Sequence, residues 1–395
     1  MNSWVFFGDD WGAHPSTTQH LASALPVEDT LIWVDSLTMR SIRLKVSEII
    51  TVTRRLRTRL LSRRAAAWTT RRIPDVRLSP TIVPLHGVRA VRVFNLARVS
   101  RSLRGALRKL DAEAPFVVVT NPVAVHFVDA LSPRAIAYLR LDDYAFLPGV
   151  DRALIEEYEP AMIARADVVI ATARALLPPR ARRALYLPQG VDVGHFARVP
   201  IEPPHGRVIG FFGMLAEWID DELIKQAARQ LPKWTFEFVG GIRSQARFLD
   251  AAPNIIWRGP LPYKDLPSEM ANWDAAWIPF RVDDLTRAVN PIKLREYLAA
   301  GLPTFSTPLP ESIALGNVVC VGSNANDLAC FLEEVVEKDS TDARLTRRAA
   351  VAEHSWSTRV DELIRALTTS PDTIPVSHNG EFSRTAAHRF AAGRR

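Results

Sequence analysis

The chain has 395 residues, of which 47% are hydrophobic, so it can fill two domains of ordinary size. We expect neither a transmembrane helix nor a signal peptide, because no apolar run is long enough to span a bilayer and no basic segment followed by an apolar core opens the chain. Cys320 and Cys330 are the two cysteines, which predicts a cytosolic protein without disulfides or a structural zinc site.

The first predicted strand, residues 4–8, turns through two glycines into a helix that Ser16 or Thr17 can cap. The loop between them, residues 9–14, therefore lies at the edge where open α/β sheets bind ligands. Its glycine spacing does not form a dinucleotide fingerprint. His14 in this loop is either a ligand contact or an ordinary surface histidine.

Positive charge is concentrated in the first third of the chain. Residues 1–110 hold 19 Lys and Arg against 7 Asp and Glu, whereas the remainder holds 31 against 36. After a strand at residues 31–34, the segment between Arg40 and Arg72 places apolar residues at helical spacing among many arginines. This pattern predicts either an amphipathic helix that binds an anionic membrane surface or a helix that packs on its domain and leaves its arginines in water. A nucleic-acid surface is less well supported, because Trp68 is the one aromatic residue interleaved there, and we expect no nucleic-acid partner.

Strands and helices then alternate along the chain. We predict strands at residues 81–84, 116–119 and 135–141, with an Arg-rich helix at 96–110, and this alternation is typical of a parallel, doubly wound sheet. Asp142 and Asp143 follow the last of these strands. Adjacent carboxylates point to different sides, so one of them can face a cleft and act on a substrate hydroxyl. Helix capping or a salt bridge is the alternative role for either one.

A second alternating series follows a short linker. The first series ends with a helix at 151–165, a strand at 167–171, a helix at 173–183 and a strand from Leu185; residues 198–206, rich in proline, form the predicted linker. The second series comprises strands at 208–212, 235–239, 254–257, 275–279, 303–306 and 318–321, and helices at 220–230, 327–338, 344–353 and 356–367.

The most informative stretch runs from residue 288 to residue 311. Asn290 and Pro291 open a helix and Gly301 ends it. The N-terminus of a helix at the carboxyl edge of a parallel sheet suits a phosphate or diphosphate. Lys293 and Glu296 can both reach a ligand there, and a carboxylate can accept hydrogen bonds from vicinal hydroxyls such as those of a ribose. An amphipathic helix with solvated Lys and Glu is the alternative.

This stretch, KLREYLAAGLPTFST, resembles the nucleotide-sugar helix of the GT-B glycosyltransferases of family 4. That pattern is a glutamate heading a small-residue helix, then Ala-x-Gly-x-Pro and a strand. The resemblance implies an α/β protein of GT-B architecture, in which two Rossmann-like doubly wound domains face a central cleft. The acceptor-side domain would cover residues 1–197 with a basic amphipathic insertion near 40–72. Residues 207–369 would bind the nucleotide sugar and end in a helix that returns to the first domain. Residues 370–395 would form a disordered basic tail.

The resemblance also assigns residues, with two departures. The glutamate that holds the donor ribose carries over to Glu296, but a second family glutamate falls on Ala288. The family also has an arginine and then a lysine after the first strand of the second domain; here Met214 stands at the arginine position and no lysine follows. We therefore expect the diphosphate charge to be met by other groups, with Lys293 first. The full set of expected donor-binding residues is Gly213, Glu217, Arg258, Asn290, Lys293 and Glu296, and the expected catalytic residues on the acceptor side are His14, Asp142 and Asp143.

The resemblance implies a glycosyltransferase that moves a sugar from a nucleotide-sugar donor to a hydroxyl of a membrane-associated, lipid-linked glycan acceptor in polysaccharide or exopolysaccharide biosynthesis. Such a transfer would retain the anomeric configuration and need neither a metal nor another cofactor. The protein would be cytoplasmic and peripheral on the inner face of the cell membrane. The missing glutamate and the missing arginine and lysine pair leave a catalytically inactive GT-B scaffold at the membrane as the alternative.

Overall fold

The structure is a computed structural model that describes residues 1–39, 72–86, 88–243 and 246–369. The predicted amphipathic segment lies outside the described residues except for Arg72, and so does the predicted tail.

The first half of the chain builds a parallel sheet of seven strands. Their order across the sheet is β3-β2-β1-β4-β5-β6-β7, and every neighbouring pair is parallel. The strands are β1 (Ser3–Phe7), β2 (Thr30–Val34), β3 (Val76–Leu78), β4 (Phe116–Val119), β5 (Ala135–Arg140), β6 (Val168–Ala171) and β7 (Ala184–Tyr186). The helices of this half are α1 (Thr17–Ser23), α2 (Arg89–Lys109) and α3 (Arg152–Arg165).

The second half builds a parallel sheet of six strands in the order β10-β9-β8-β11-β12-β13. The strands are β8 (Val208–Phe212), β9 (Thr235–Val239), β10 (Ile255–Gly259), β11 (Ala275–Ile278), β12 (Thr304–Ser306) and β13 (Cys320–Val321). The remaining helices are α4 (Val193–Phe196), α5 (Asp221–Gln230), α6 (Leu266–Met270), α7 (Ile292–Ala300), α8 (Pro310–Ile313), α9 (Ala325–Lys338), α10 (Thr341–Ala350) and α11 (Trp356–Thr368). The predicted linker lies between β7 and β8.

Both faces of the first sheet are covered, as its nearly continuous apolar strands require. Along β1, Val5 and Phe7 enter the core that α2 and α3 cover, while Trp4 and Phe6 enter the core on the opposite face. The helix α11 packs in that second core together with α1. The helix α11 therefore returns to the first sheet, and the predicted α/β class with two doubly wound parallel sheets is confirmed. Among the described residues, no helix is long and apolar enough to cross a membrane.

Two predicted elements are wrong. Residues 81–84 form a loop, and the third strand is Val76–Leu78 instead. The amide side chain of Asn95 takes the place of a strand partner, since its Oδ1 accepts from Val83 N at 2.9 Å and its Nδ2 donates to Val83 O at 2.9 Å.

The helix predicted at residues 173–183 is absent as well. A single 3-10 turn, Arg174–Leu176, stands in its place. Pro178 and Pro179 explain the difference, because proline lacks the N–H that a helix needs and disfavours helical geometry in the residue before it.

Candidate active site

The carboxyl edges of the two sheets face each other. Arg174 follows β6 of the first sheet, and its backbone N donates to Glu311, which follows β12 of the second, at 2.7 Å. Arg243, after β9, donates to the carbonyl of Pro148, after β5, at 3.2 Å. A cleft between two such edges is where α/β proteins bind ligands, because the strand-to-helix loops and helix N-termini gather there.

Two glycine turns and one lysine meet at the second sheet's edge. Gly213 ends β8 with φ +142°, and a Cβ at this position would lie 2.3 Å from Cε of Lys293. Gly240 ends β9 with φ +141°, and a Cβ there would lie 1.9 Å from the carbonyl oxygen of Gly213. Any larger residue would displace Lys293 or separate the two turns. The sequence interpretation missed Gly240, although the pair Gly240-Gly241 after an apolar strand was a visible signal.

The helix α7 presents Lys293 in its first turn. It begins at Ile292, with Pro291 at the cap position and no side chain capping its first N–H groups. The predicted start is therefore displaced by one residue. Lys293 Nζ lies 5.9 Å from the ring centroid of Phe211, and burial lowers the pKa of the lysine while Glu296 raises it. The helix N-terminus and the lysine together form a site of positive potential.

Glu296 is a buried carboxylate, 3% exposed. Burial is the main cause that raises its pKa to about 7; Lys293 lowers the pKa and Asp192 raises it. Among the described residues, none donates a hydrogen bond to this carboxylate. A buried carboxylate without donors is costly, and two vicinal hydroxyls of a ligand would supply them.

Tyr263 lies near Glu296 and is paired with His195 of α4. Burial raises the pKa of Tyr263 well above its usual value, and the charge of Glu296 adds to this effect. The ring of His195 stacks on Tyr263 with centroids 4.4 Å apart, and His195 Nε2 lies 3.0 Å from the Tyr263 carbonyl oxygen. The sequence interpretation missed Tyr263, because its nearness to Glu296 depends on the fold and not on spacing.

Asp142 and Asp143, both predicted to be catalytic, have different surroundings. Asp143 Oδ1 accepts from Ala145 N at 3.3 Å and caps the 3-10 turn Tyr144–Phe146, which is the capping alternative. Asp142 is half-buried and, within the part of the chain that the structure describes, accepts no hydrogen bond. Burial and then the charge of Asp143 raise the pKa of Asp142 to about 6. Asp142 is therefore the better candidate to act on a hydroxyl.

The remaining candidates are His14, Glu217 and Arg258. His14 is 65% exposed, with Nε2 3.3 Å from Oδ2 of Asp9. Glu217 is exposed. Arg258 forms ion pairs with Glu237 and Glu269, at 3.0 and 3.5 Å. These placements favour a surface role for His14 and a structural role for Arg258.

Asn290 belongs to a cluster between the two halves, which we call the interdomain clasp: Arg174, Tyr186, Asn290, Arg295 and Glu311. Asn290, Arg295 and Glu311 are buried, Tyr186 is half-buried and Arg174 is exposed. Asn290 Nδ2 donates to the Thr172 carbonyl at 2.8 Å, and its Oδ1 accepts from Arg295 at 2.7 Å. Glu311 accepts from Tyr186 Oη at 2.5 Å. Asn290 therefore ties the halves together and does not cap α7.

Solved structures with low sequence identity share this architecture. HepE of Anabaena, solved with UDP and glucose, superposes with a TM-score of 0.64 at 13% identity and covers 93% of this chain and 99% of that one. Sucrose-phosphate synthase of Thermosynechococcus elongatus gives 0.61 at 12% identity over 92% of this chain and 98% of that one. The chain has the GT-B fold.

Sequence comparison points to the same group of proteins over part of the chain. Residues 220–365, which include α7, match the family model described as glycosyl transferase-like. The protein of Bacillus subtilis (strain 168) named "Putative teichuronic acid biosynthesis glycosyltransferase TuaH" is 39% identical over 111 residues, which are 27% of this chain and 28% of that protein. The assignment to family 4 stays a prediction.

Proposed function

We propose that this protein is a glycosyltransferase that moves a sugar from a nucleotide-sugar donor to a hydroxyl of a glycan acceptor in the assembly of a cell-surface polysaccharide. The observation that carries the proposal is the meeting of Gly213, Lys293 and the buried carboxylate of Glu296, which accepts no hydrogen bond from a described residue, at the N-terminus of α7. The partial match to TuaH, named for teichuronic acid biosynthesis, supports the polysaccharide class.

The donor would bind with its diphosphate at the start of α7. The uncapped N–H groups and Lys293 can stabilise negative charge as the diphosphate leaves, and this arrangement supports transfer without a metal ion. The carboxylate of Glu296 would accept hydrogen bonds from the two ribose hydroxyls. Because HepE was solved with UDP and glucose, a uridine nucleotide is the first donor to test.

The acceptor would approach from the first sheet. Asp142, with a pKa of about 6, is ionised at neutral pH and can accept a hydrogen bond from the attacking hydroxyl. The resemblance to family 4 further supports retention of the anomeric configuration, a lipid-linked acceptor and a location on the inner face of the cell membrane.

A GT-B scaffold without turnover is the second candidate. Met214, which is exposed at the turn after β8, and Ala288 stand where the resemblance expects charged residues. Such a protein would retain nucleotide binding through Lys293 and Glu296 yet release no sugar.

Transfer of labelled sugar separates the two candidates. The protein would be incubated with membrane lipid extract and a panel of labelled nucleotide sugars, and label in the lipid phase would be counted, with Glu296→Ala as the inactive control. Incorporation from one donor, lost in the variant, is expected for the transferase. Nucleotide binding without incorporation from any donor would favour the scaffold.

A further inference from the structure

The helix α2 carries an exposed surface with an apolar end and a basic end, which we call the α2 face. The apolar end exposes Val88 (just before the helix), Val93, Phe94 and Leu96. The basic end exposes Arg98, Arg101, Arg104, Arg108 and Lys109. Arg89 is also exposed, but it lies at the apolar end. Val93, Ala97, Arg101, Arg104 and Arg108 recur at helical spacing, and Phe94 lies one turn before Arg98, so Val93 and Phe94 share one side of the helix with the arginines.

This face is unusual among the described residues. Phe94 is 53% exposed, the most of any described Phe, Trp or Tyr. The sequence of α2 contains no Asp or Glu, so nothing on the helix offsets its positive charge. The opposite side of the helix is occupied, since Val99, Leu103 and Leu107 pack in the core with the first sheet. A cluster of exposed apolar residues beside unbalanced positive charge is typical of a surface that binds a partner.

The apolar end of the α2 face lies near the acceptor side of the cleft. The chain enters α2 after β3, so the apolar end lies toward the carboxyl edge of the sheet, and the basic end points away from it. Phe146, 38% exposed, follows β5 at this same edge and precedes α3, which shares its core with α2. Asp142 lies in the same loop as Phe146. A flat partner on the α2 face would therefore lie beside the acceptor side of the cleft.

We propose that the α2 face docks the protein on an anionic lipid bilayer. Phe94 and its apolar neighbours enter the headgroup region, where an aromatic ring is stable, and the arginines pair with lipid phosphates. The charge of the face complements an anionic leaflet, and each basic residue near such a surface strengthens binding about five-fold. Docking in this way brings the cleft to the membrane surface, where a lipid-linked acceptor would lie. The inference extends the proposed function, but its test requires no sugar transfer.

Co-sedimentation with vesicles tests the proposal. Wild-type protein is expected to sediment with vesicles of phosphatidylcholine and phosphatidylglycerol, to release as salt rises, and to bind vesicles of phosphatidylcholine alone much more weakly. The triple variant Arg98→Gln/Arg101→Gln/Arg104→Gln is expected to bind the anionic vesicles about a hundred-fold more weakly. Phe94→Ser is expected to bind about ten-fold more weakly. All four side chains are exposed, so circular dichroism should show unchanged folding.

Matched controls come from other exposed positions. Arg180→Gln/Arg229→Gln/Lys233→Gln removes the same charge elsewhere, and Leu345→Ser removes an apolar side chain that is 49% exposed on α10. Both controls should bind vesicles nearly as the wild type does. Nucleotide affinity should be unchanged in every variant, so failure of docking is distinguishable from failure of the proposed function.

Several results would overturn the proposal. Equal binding of the α2 variants and the wild type would do so, as would absence of wild-type binding to anionic vesicles. Loss of binding on replacing the arginines between residues 54 and 64, with the α2 variants unaffected, would assign docking to that segment instead. Capture of a protein or an RNA by the α2 face, with vesicle binding unaltered by its variants, would replace the lipid by another partner.

Discussion

At the scale of single residues, the buried carboxylate of Glu296 reduces the stability of the folded protein. Glu296 is buried, its pKa is raised to about 7, and no described residue donates to it. This buried charge lowers the stability of the folded state unless a bound ligand donates hydrogen bonds to it. The arrangement is typical of a binding residue, since binding sites commonly reduce stability.

The first prediction concerns the stability cost of Glu296. Because its pKa in the folded state is raised, the folded protein binds more protons than the unfolded chain between about pH 4.5 and 7, and stability falls as pH rises through this range. Glu296→Gln should therefore raise the free energy of unfolding at pH 8 by up to about 3 kcal/mol. Denaturant unfolding at pH 8 and pH 4.5 measures this, and the gain should vanish at pH 4.5. An equal effect at both pH values would show that the charge of Glu296 is not responsible.

The second prediction concerns Lys293. Its ammonium would contact the diphosphate, so Lys293→Met should weaken binding of a nucleoside diphosphate by about ten- to a hundred-fold, the usual loss for a charged hydrogen bond. The affinity for the nucleoside alone should change little. Calorimetric titration measures both, with Lys225→Met on α5 as the matched control. Equal losses for nucleoside and diphosphate would indicate a general distortion of the site.

At the scale of elements, the interdomain clasp holds α7 against the first sheet. Glu311 accepts hydrogen bonds from Arg174, Tyr186 and Asn290, and it is 3% exposed. The ring of Tyr186 is also covered by the guanidinium of Arg174, 4.2 Å from its centroid. The clasp lies next to α7 in sequence and space, so it fixes where the donor site faces the first sheet.

The third prediction is that the clasp contributes strongly to stability. Glu311→Ala would leave buried donors without an acceptor and should lower the free energy of unfolding by about 3 kcal/mol, whereas Tyr186→Phe should cost about 1 kcal/mol. Glu222→Ala breaks an exposed ion pair with Lys225 and should have almost no effect. Calorimetric melting of the single and double variants measures the coupling. Strictly additive losses from Glu311→Ala and Tyr186→Phe would mean that the two side chains do not stabilise the fold together.

The elements also show what a sequence can and cannot predict. The strands other than β3, and α7, were predictable, because apolar runs, Asn-Pro and Gly301 are local signals. The loop at residues 81–84 was not, since Asn95, twelve residues away from Val83, supplies its hydrogen bonds. The clasp joins Tyr186 to Glu311 across 125 residues, and only the folded chain brings them together. In contrast, the prolines at 178 and 179 were visible and should have excluded the helix predicted there.

At the scale of the whole molecule, two parallel sheets present their carboxyl edges to one cleft. The second sheet supplies Gly213, Lys293 and Glu296, and the first supplies Asp142. The returning helix α11 joins the halves, since Val191 N donates to His354 O at 2.8 Å just before it. This division places a nucleotide on one side and an acceptor on the other, and the α2 face lies beside the acceptor side.

The most direct test of this account is a thermal-shift titration with a panel of nucleoside diphosphates and nucleotide sugars, without added metal. A ligand that binds only the folded state raises the melting temperature by mass action. We predict a selective rise with one nucleotide, uridine diphosphate being the first to test, and loss of that rise in Glu296→Ala. A rise that persists in the variant would remove Glu296 from the site. No rise with any nucleotide would contradict the account, and Lys293 and Glu296 would then belong to an ordinary helix.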